Sequence, residues 1–531
     1  MLKHSTRRWL AGLGVAGALV AASATPASAE DPQVTLGLFF GDTTIAAGSE
    51  GKIEYSTIHS SSPVVLRDLT VRYDYSDLAG KVTLAEEEDT FSDCTSPSKN
   101  VLVCTEQFEV GIDEWGLAGI FPVVIAPTDT AQDGDTGTLK VTMTAAGFDA
   151  VTDEATIRIG EGVDLAAGPE TNLSLAPGSA FTAPLKVSNQ GETTAKGATV
   201  IFYNDYGLNA AKHYSNCTYV GDELRTCQFT QDLPAGTSFS AALPYTLGAD
   251  SFAPGFKYGE IGWMTPAEFE DFKGYLDNYD VTIGEPGTDG ELTLAQLGAQ
   301  ATTQGFQADT RPDNNWSSLA VKVTGKNSTD LEAIGDELTG KAGDKVKATV
   351  GVRNNGPATL DYSRGGSAVT IMSVDVPQGT TAVAVPQNCA PVNGDEWDEP
   401  GKPGARHYGC YFDPFLKAGD TATLDFELRI DKVIANATGT VKINVPCACD
   451  GGFYSDLKPA NDTAPIVVNA VAGNGGNGGG DGGNGGGNGD GGTLPITGSS
   501  TGLIAGVGAL LLAAGVGGYV VARRRRTRFV A

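Results

Sequence analysis

Ala183-Pro184-Leu185-Lys186-Val187 runs into Ser188-Asn189-Gln190-Gly191, and Ala348-Thr349-Val350-Gly351-Val352 runs into Arg353-Asn354-Asn355-Gly356. In both stretches apolar residues largely alternate, and the run stops at an Asn-x-Gly turn. A period of two is that of a strand with one buried face, and Asn and Gly end it because they tolerate turn geometry. A third alternating stretch, Lys52-Ile53-Glu54-Tyr55, lies upstream. Each of the three follows a turn of one design: Ala47-Gly48-Ser49, Pro177-Gly178-Ser179 and Ala342-Gly343-Asp344. The chain therefore repeats one unit three times.

The cysteines fall into the same frame. Cys94, Cys217 and Cys389 lie 46, 39 and 46 residues past the turn glycine, and Cys104, Cys227 and Cys410 follow them. Each second cysteine precedes an aromatic residue: Phe108, Phe229, and Tyr411-Phe412. Pro234-Ala235-Gly236-Thr237 matches Lys417-Ala418-Gly419-Asp420 as a turn. Late strands are expected at Thr138–Thr142 and Thr440–Asn444, and final strands at Ala155–Ile159, Ser318–Val323 and Ala464–Val468. In copies two and three the final strand follows Asp309-Thr310-Arg311-Pro312-Asp313-Asn314 and Asp456-Leu457-Lys458-Pro459-Ala460-Asn461.

Many short strands separated by Gly, Pro and Asn turns predict an all-β chain of three tandem antiparallel β-sandwiches, over 30–162, 163–325 and 326–470. The Asn-x-Gly turn and the Asp-x-x-Pro-x-Asn motif resemble the immunoglobulin-like repeats of bacterial surface proteins, the CARDB type. That resemblance covers much of copies two and three, and implies immunoglobulin-like β-sandwich domains. Copy one lacks the Asp-Pro-Asn motif. Copy two carries an insert from about Thr265 to Gly305, in which Thr265-Pro266-Ala267-Glu268 reads as a capped helix start. Phe269, Phe272 and Tyr275 are expected on one face of that helix, packing onto the sandwich.

The ends of the chain carry an address. Lys3, Arg7 and Arg8 precede the apolar run Trp9–Ala22, and Ala27-Ser28-Ala29 is a small-x-small cleavage site, so 1–29 reads as a signal peptide cut between Ala29 and Glu30. At the other end stand Leu494-Pro495-Ile496-Thr497-Gly498, an uncharged run from Gly502 to Ala522, and Arg523-Arg524-Arg525-Arg526. At about 1.5 Å per residue that run spans a hydrocarbon core of about 30 Å as a C-terminal transmembrane helix over 502–522, and the arginines hold the end in the cytoplasm. The three-part tail, 494–531, resembles the LPXTG cell-wall sorting signal of Gram-positive surface proteins. The resemblance implies that a sortase cuts between Thr497 and Gly498 and joins Thr497 to peptidoglycan. The membrane would then be an intermediate station. Residues 471–493 are almost only Gly, Asn and Asp. They predict a Gly-rich disordered linker with a span of roughly 25 Å.

Processing at both ends leaves 28 Lys and Arg against 64 Asp and Glu, a net charge of −36. Such a surface repels nucleic acid and anionic lipid. An exported chain with eight cysteines reads as disulfide-bonded. The repeat frame favours Cys94–Cys104, Cys217–Cys227 and Cys389–Cys410. Cys447 and Cys449 remain; a bond between them is the reading taken, with a link between two chains or a metal as alternatives.

No residue pattern points to a catalytic centre or a cofactor. His59, His213 and His407 lie one per domain, and no Gly-x-Ser-x-Gly, His-Glu-x-x-His or P-loop occurs. No metal is expected: the Asp309 and Asp456 motifs offer oxygen ligands, but turn formation accounts for them. Trp397, inside the acidic loop between Cys389 and Cys410, is the candidate contact for a protein or carbohydrate ligand. The sequence therefore predicts a sortase-anchored surface protein displaying β-sandwiches for adhesion, binding or structural roles. The alternatives are a wall-anchored hydrolase using carboxylates, with the insert as its lid, and a passive stalk.

Overall fold

The computed structural model describes residues 34–87, 92–112, 116–279, 281–296, 307–394, 396–445 and 456–470. The signal segment with Ala29 and Glu30, Cys447 and Cys449, the linker, the sorting motif and the apolar run 502–522 lie outside the described residues.

Six main sheets pair into three sandwiches. In the first, the strands Leu36–Phe40, Lys52–Ser60, Leu117–Pro127 and Val82–Glu86 lie side by side. The facing sheet has the order Thr43–Ala46, Val151–Val163, Thr136–Thr144, Thr70–Asp74, Val101–Glu106, Ser92–Ser98. Ile58, Val123 and Ile125 from one sheet meet Val71, Tyr73, Val141 and Ile157 from the other in a single buried core. The second and third sandwiches repeat this plan around cores that include Trp263, Phe239 and Val200, and Tyr408, Phe426 and Val350. The alternation in the sequence becomes alternating burial: Ala180–Asn189 buries Ala183, Leu185, Val187 and Asn189 and exposes Thr182, Pro184 and Lys186 on the other face.

The leading strand of each copy is split between the two sheets. Leu36–Phe40, Leu165–Ala167 and Thr329–Ile334 pair antiparallel in the smaller sheet. Thr43–Ala46, Thr171–Leu175 and Asp336–Leu338 then cross over and run parallel to the final strand of the larger sheet. Each leading segment thus forms an edge strand of both sheets, and splitting it keeps each of those edge strands short, which limits pairing with other chains. The turns at Gly48, Gly178 and Gly343 have φ of +75°, +79° and +93°, a region where glycine has no Cβ penalty.

Two buried asparagines lock the repeated turns. Asn189 Nδ2 donates to Thr193 O and Leu233 O, both at 2.7 Å, and Asn354 Nδ2 donates to Ala358 O at 2.9 Å and Leu416 O at 3.1 Å. The backbone carbonyls of the same two residues accept from Gly236 and Gly419. The Asn-x-Gly and Ala-Gly turns of the sequence are therefore two halves of one hydrogen-bonded unit.

The disulfides Cys94–Cys104, Cys217–Cys227 and Cys389–Cys410 are formed. Each joins directly opposed residues of neighbouring antiparallel strands within the larger sheet.

The copies follow one another with almost no linker. Val163 ends the first sandwich and Leu165 begins the second; Asn327 ends the second and Thr329 begins the third. At the second joint, Arg364 donates to Asp205 and Glu260, both at 2.8 Å, and lies 4.5 Å from the centre of the Tyr203 ring. Lys257 and Asp361, both buried, pair beside it at 3.2 Å.

Candidate functional site

Thr265 opens a helix over Pro266–Asn278 with a full capping box: its hydroxyl accepts from Glu268 N, and Glu268 Oε2 accepts from Thr265 N. Pro266 at the first position fits because its missing N–H has no partner to lose there. The helix does not simply lie on its own sandwich. It packs against Ala195–Asn204 of the second domain and Thr43–Ala46 of the first. The three aromatics expected on one packing face divide accordingly. Phe269 is buried, while Phe272 and Tyr275 are half-buried and line a cavity against the first domain.

Polar bonds tie the helix across the joint. Lys52 Nζ meets Glu268 Oε1 at 2.5 Å. Thr44 Oγ1 and Arg158 Nη1 donate to the two oxygens of Asp271 at 2.7 and 2.8 Å, and Arg158 Nη2 reaches Asp42 at 2.8 Å. Further along, Tyr279 and Thr57 share a hydrogen bond of 3.0 Å, and Asn278 meets His59 at 3.1 Å. Backbone pairing completes the joint: Glu161–Val163 runs parallel to Gln307–Asp309.

Between the helix and the first domain is a cavity of about 490 Å³. Phe39, Tyr55, Phe272 and Tyr275 line it together with Glu54 and Asp271. A second cavity of about 480 Å³ adjoins it, sharing Phe39, Asp42, Thr44 and Asp271. The carboxylates here differ in state. Burial would raise Glu268, but the Lys52 ammonium and hydrogen bonds from Lys52, Thr265 and Asp309 bring it below its ordinary value. Burial raises Asp271 in spite of Thr44 and Arg158. Glu54 is pushed up to about 7 by burial; Thr43 and Lys52 oppose this and Asp271 adds to it. Glu268 and Asp271 thus hold cations of the first domain, whereas Glu54 has no ion pair among the described residues.

The cleft sits between copies one and two, with the insert helix as a wall rather than a lid over copy two. A general acid–base pair needs two carboxyls free to exchange protons. Of the four acids that line this cavity, Asp42, Glu268 and Asp271 each pair with a cation, which leaves Glu54 as the one without an ion pair among the described residues.

Trp397 forms a short ladder with Val392 in the loop between Cys389 and Cys410. Its ring stacks on Tyr411 with centroids 4.7 Å apart and covers Gly409, where a Cβ would collide with it. Both aromatics stay about 38% exposed, so Trp397 is a pinned, half-open platform. Sequence reading missed a second platform. Phe256 and Tyr258 stack at 6.0 Å on the outer face of the second domain, and Trp316 covers Gly262 in the same way. All three are exposed. The signal was present as a period of two, Phe256-x-Tyr258-x-Glu260-x-Gly262.

The Asp309 and Asp456 motifs are latches. Asp309 accepts from Leu165 N at 2.6 Å and Arg311 N at 2.7 Å; Asp456 accepts from Leu331 N at 2.6 Å and Lys458 N at 2.7 Å. Asn314 and Asn461 donate to Asp164 and Asp330, one residue before the leading strands' ordered start or within it, at 2.9 and 2.8 Å. Both carboxylate oxygens of Asp309 and of Asp456 are spent on the chain itself. The histidines are separately engaged: His59 with Asn278 and Tyr279, His213 stacked on Tyr219, His407 with Asp375.

No family model matches the chain, and no curated protein matches it. Solved structures do match. One is a chain of the complex of Dpr2 Ig1–Ig2 with DIP-Theta Ig1–Ig3, at 7% identity over 82% of this chain and 99% of that one, TM-score 0.18. Another is a protein of Corynebacterium diphtheriae described as membrane-anchored, at 12% identity over 82% and 91%, TM-score 0.17. A third holds extracellular cadherin domains 1–5 of protocadherin gamma B2, at 10% identity over 81% and 58%, TM-score 0.17. Similarity this low carries no argument about what the chain does.

Proposed function

We propose that this is an exported surface protein that a sortase joins to peptidoglycan through Thr497, and that its three β-sandwiches form a non-enzymatic binding module held off the wall by the Gly-rich linker. The observation that carries the reading is the order of the tail: Leu494-Pro495-Ile496-Thr497-Gly498, an uncharged run to Ala522, then four arginines. Leu494 and Pro495 would be read by the sortase, and Thr497 would become the acyl group it transfers. All six described cysteines are paired, which suits an oxidising compartment outside the cytoplasm.

Binding is favoured over a passive stalk by the two aromatic platforms, since half-exposed rings fixed on a rigid sheet are the usual anchors of recognition. Trp397 is the contact residue of the third domain in this reading. A wall-anchored hydrolase is less well supported, because Glu268 and Asp271 each neutralise a cation of the first domain. Replacing Thr497 with Ala tests the proposal: protein should leave the wall fraction for membrane and medium, and an unchanged wall-bound yield would contradict it.

A further inference from the structure

The cavity at the first joint has a charge imbalance that its own residues do not resolve. Lys52 and Glu268 cancel each other. Arg158 faces both Asp42 and Asp271, leaving one negative charge over. Glu54 adds another when it ionises, since no cation pairs with it among the described residues. Around these groups stand the rings of Phe39, Tyr55, Phe272 and Tyr275. At about 490 Å³ the space falls within the usual range for small-ligand sites, roughly 300–1,000 Å³. Carboxylates beside aromatic walls recognise organic ammonium groups, because ring faces and anions attract the cation while the rings also cover an alkyl chain.

We propose that this cavity binds a primary alkylammonium group, with Glu54 as its anionic partner, Asp271 adding negative potential, and Phe272 and Tyr275 packing against the alkyl chain. The ligand would bridge the first domain and the helix of the second, and so brace the joint. The inference stands on the cavity and does not depend on how the tail is processed.

Glu54 must be ionised to pair with the cation, and alkyl amines remain protonated up to about pH 10. With the Glu54 carboxyl pushed up to about 7, the competent fraction rises about tenfold from pH 6 to pH 8, and apparent affinity should rise with it.

The test is calorimetric titration of the full chain, kept in a neutral detergent, with n-butylammonium and with 1-butanol as the uncharged counterpart. Saturable binding of the amine, at least tenfold tighter than the alcohol and about tenfold tighter at pH 8 than at pH 6, is expected. Glu54→Gln should weaken it at least tenfold and remove the pH dependence, with a cooperative melting transition no lower than the parent's at pH 6 showing that the domain is folded. Phe272→Ala should weaken amine and alcohol alike. Equal binding of amine and alcohol, affinity unchanged by Glu54→Gln, or no saturation at tens of millimolar would each overturn the proposal.

Discussion

Lys52 of the first domain and Glu268 of the second lie 216 residues apart in sequence, yet their side chains meet at 2.5 Å, largely shielded from solvent. Glu268 also accepts from Thr265 N and Asp309 N. One carboxylate therefore caps the helix, holds the end of the short strand Gln307–Asp309 and fastens the neighbouring domain.

Removing one partner strands the other. Lys52→Met should cost about 3 kcal/mol, the scale of breaking a buried pair. The loss should appear as a separate, earlier melting of the first domain in calorimetry. A variant that melts as one unit at the parent temperature would show that the pair does not couple the domains.

The joint should respond to pH with a definite sign. A carboxyl raised in the folded state binds more protons there than in the unfolded chain, so Glu54 disfavours folding as pH rises from about 4.3 to about 7. Asp309, pushed up to about 6 by burial, acts the same way at lower pH. His59 acts oppositely: burial lowers it, so it costs stability as pH falls below about 6.5. Glu268 is depressed, and its contribution is lost only below about 4.3. Comparing Glu54→Gln with the parent isolates one group. The variant should gain on the order of 1 kcal/mol relative to the parent between pH 5 and pH 8, reduced from the full shift because Glu54 faces a cavity. A constant difference across that range would contradict the assignment.

Asn354 is fully buried, and its side chain serves Ala358 O, Leu416 O and Gly356 N. Asn354→Ala would leave these groups unsatisfied, at about 1–3 kcal/mol in all. Denaturant unfolding should show the loss in the third domain, and Asn189→Ala should do the same to the second. A loss under about 0.5 kcal/mol would mean that the turns do not depend on these asparagines.

Arg364→Ala removes the partner of Asp205 and Glu260 at the second joint. Both carboxylates are partly shielded, so about 2 kcal/mol of coupling between the domains should go, and small-angle scattering should record a broader distribution of distances. An unchanged scattering profile would show that Lys257–Asp361 and the Ser251–Thr359 bridge hold the joint without it.

What was legible in the sequence was local. Period-two alternation marked the strands, the turn glycines marked the repeats, and the cysteine spacing placed each bridge between adjacent strands. The capping box placed the helix start at Thr265. What was hidden needed tertiary neighbours. Nothing near Glu268 announces Lys52, and the spacing of Phe269, Phe272 and Tyr275 says that they lie near one another without saying that two domains divide them. Asp309 and Asp456 read correctly as turn residues, but their second bonds, to Leu165 and Leu331, run across 144 and 125 positions. The Phe256, Tyr258 and Trp316 platform was missed because strand alternation was used to find cores and not outer faces.

The central claim, covalent display on the wall, is tested most directly by mass spectrometry of protein released from purified cell walls with a peptidoglycan hydrolase. The account predicts a C-terminal peptide ending at Thr497 and carrying a wall fragment. An intact tail through Ala531, recovered only with membranes, would contradict it.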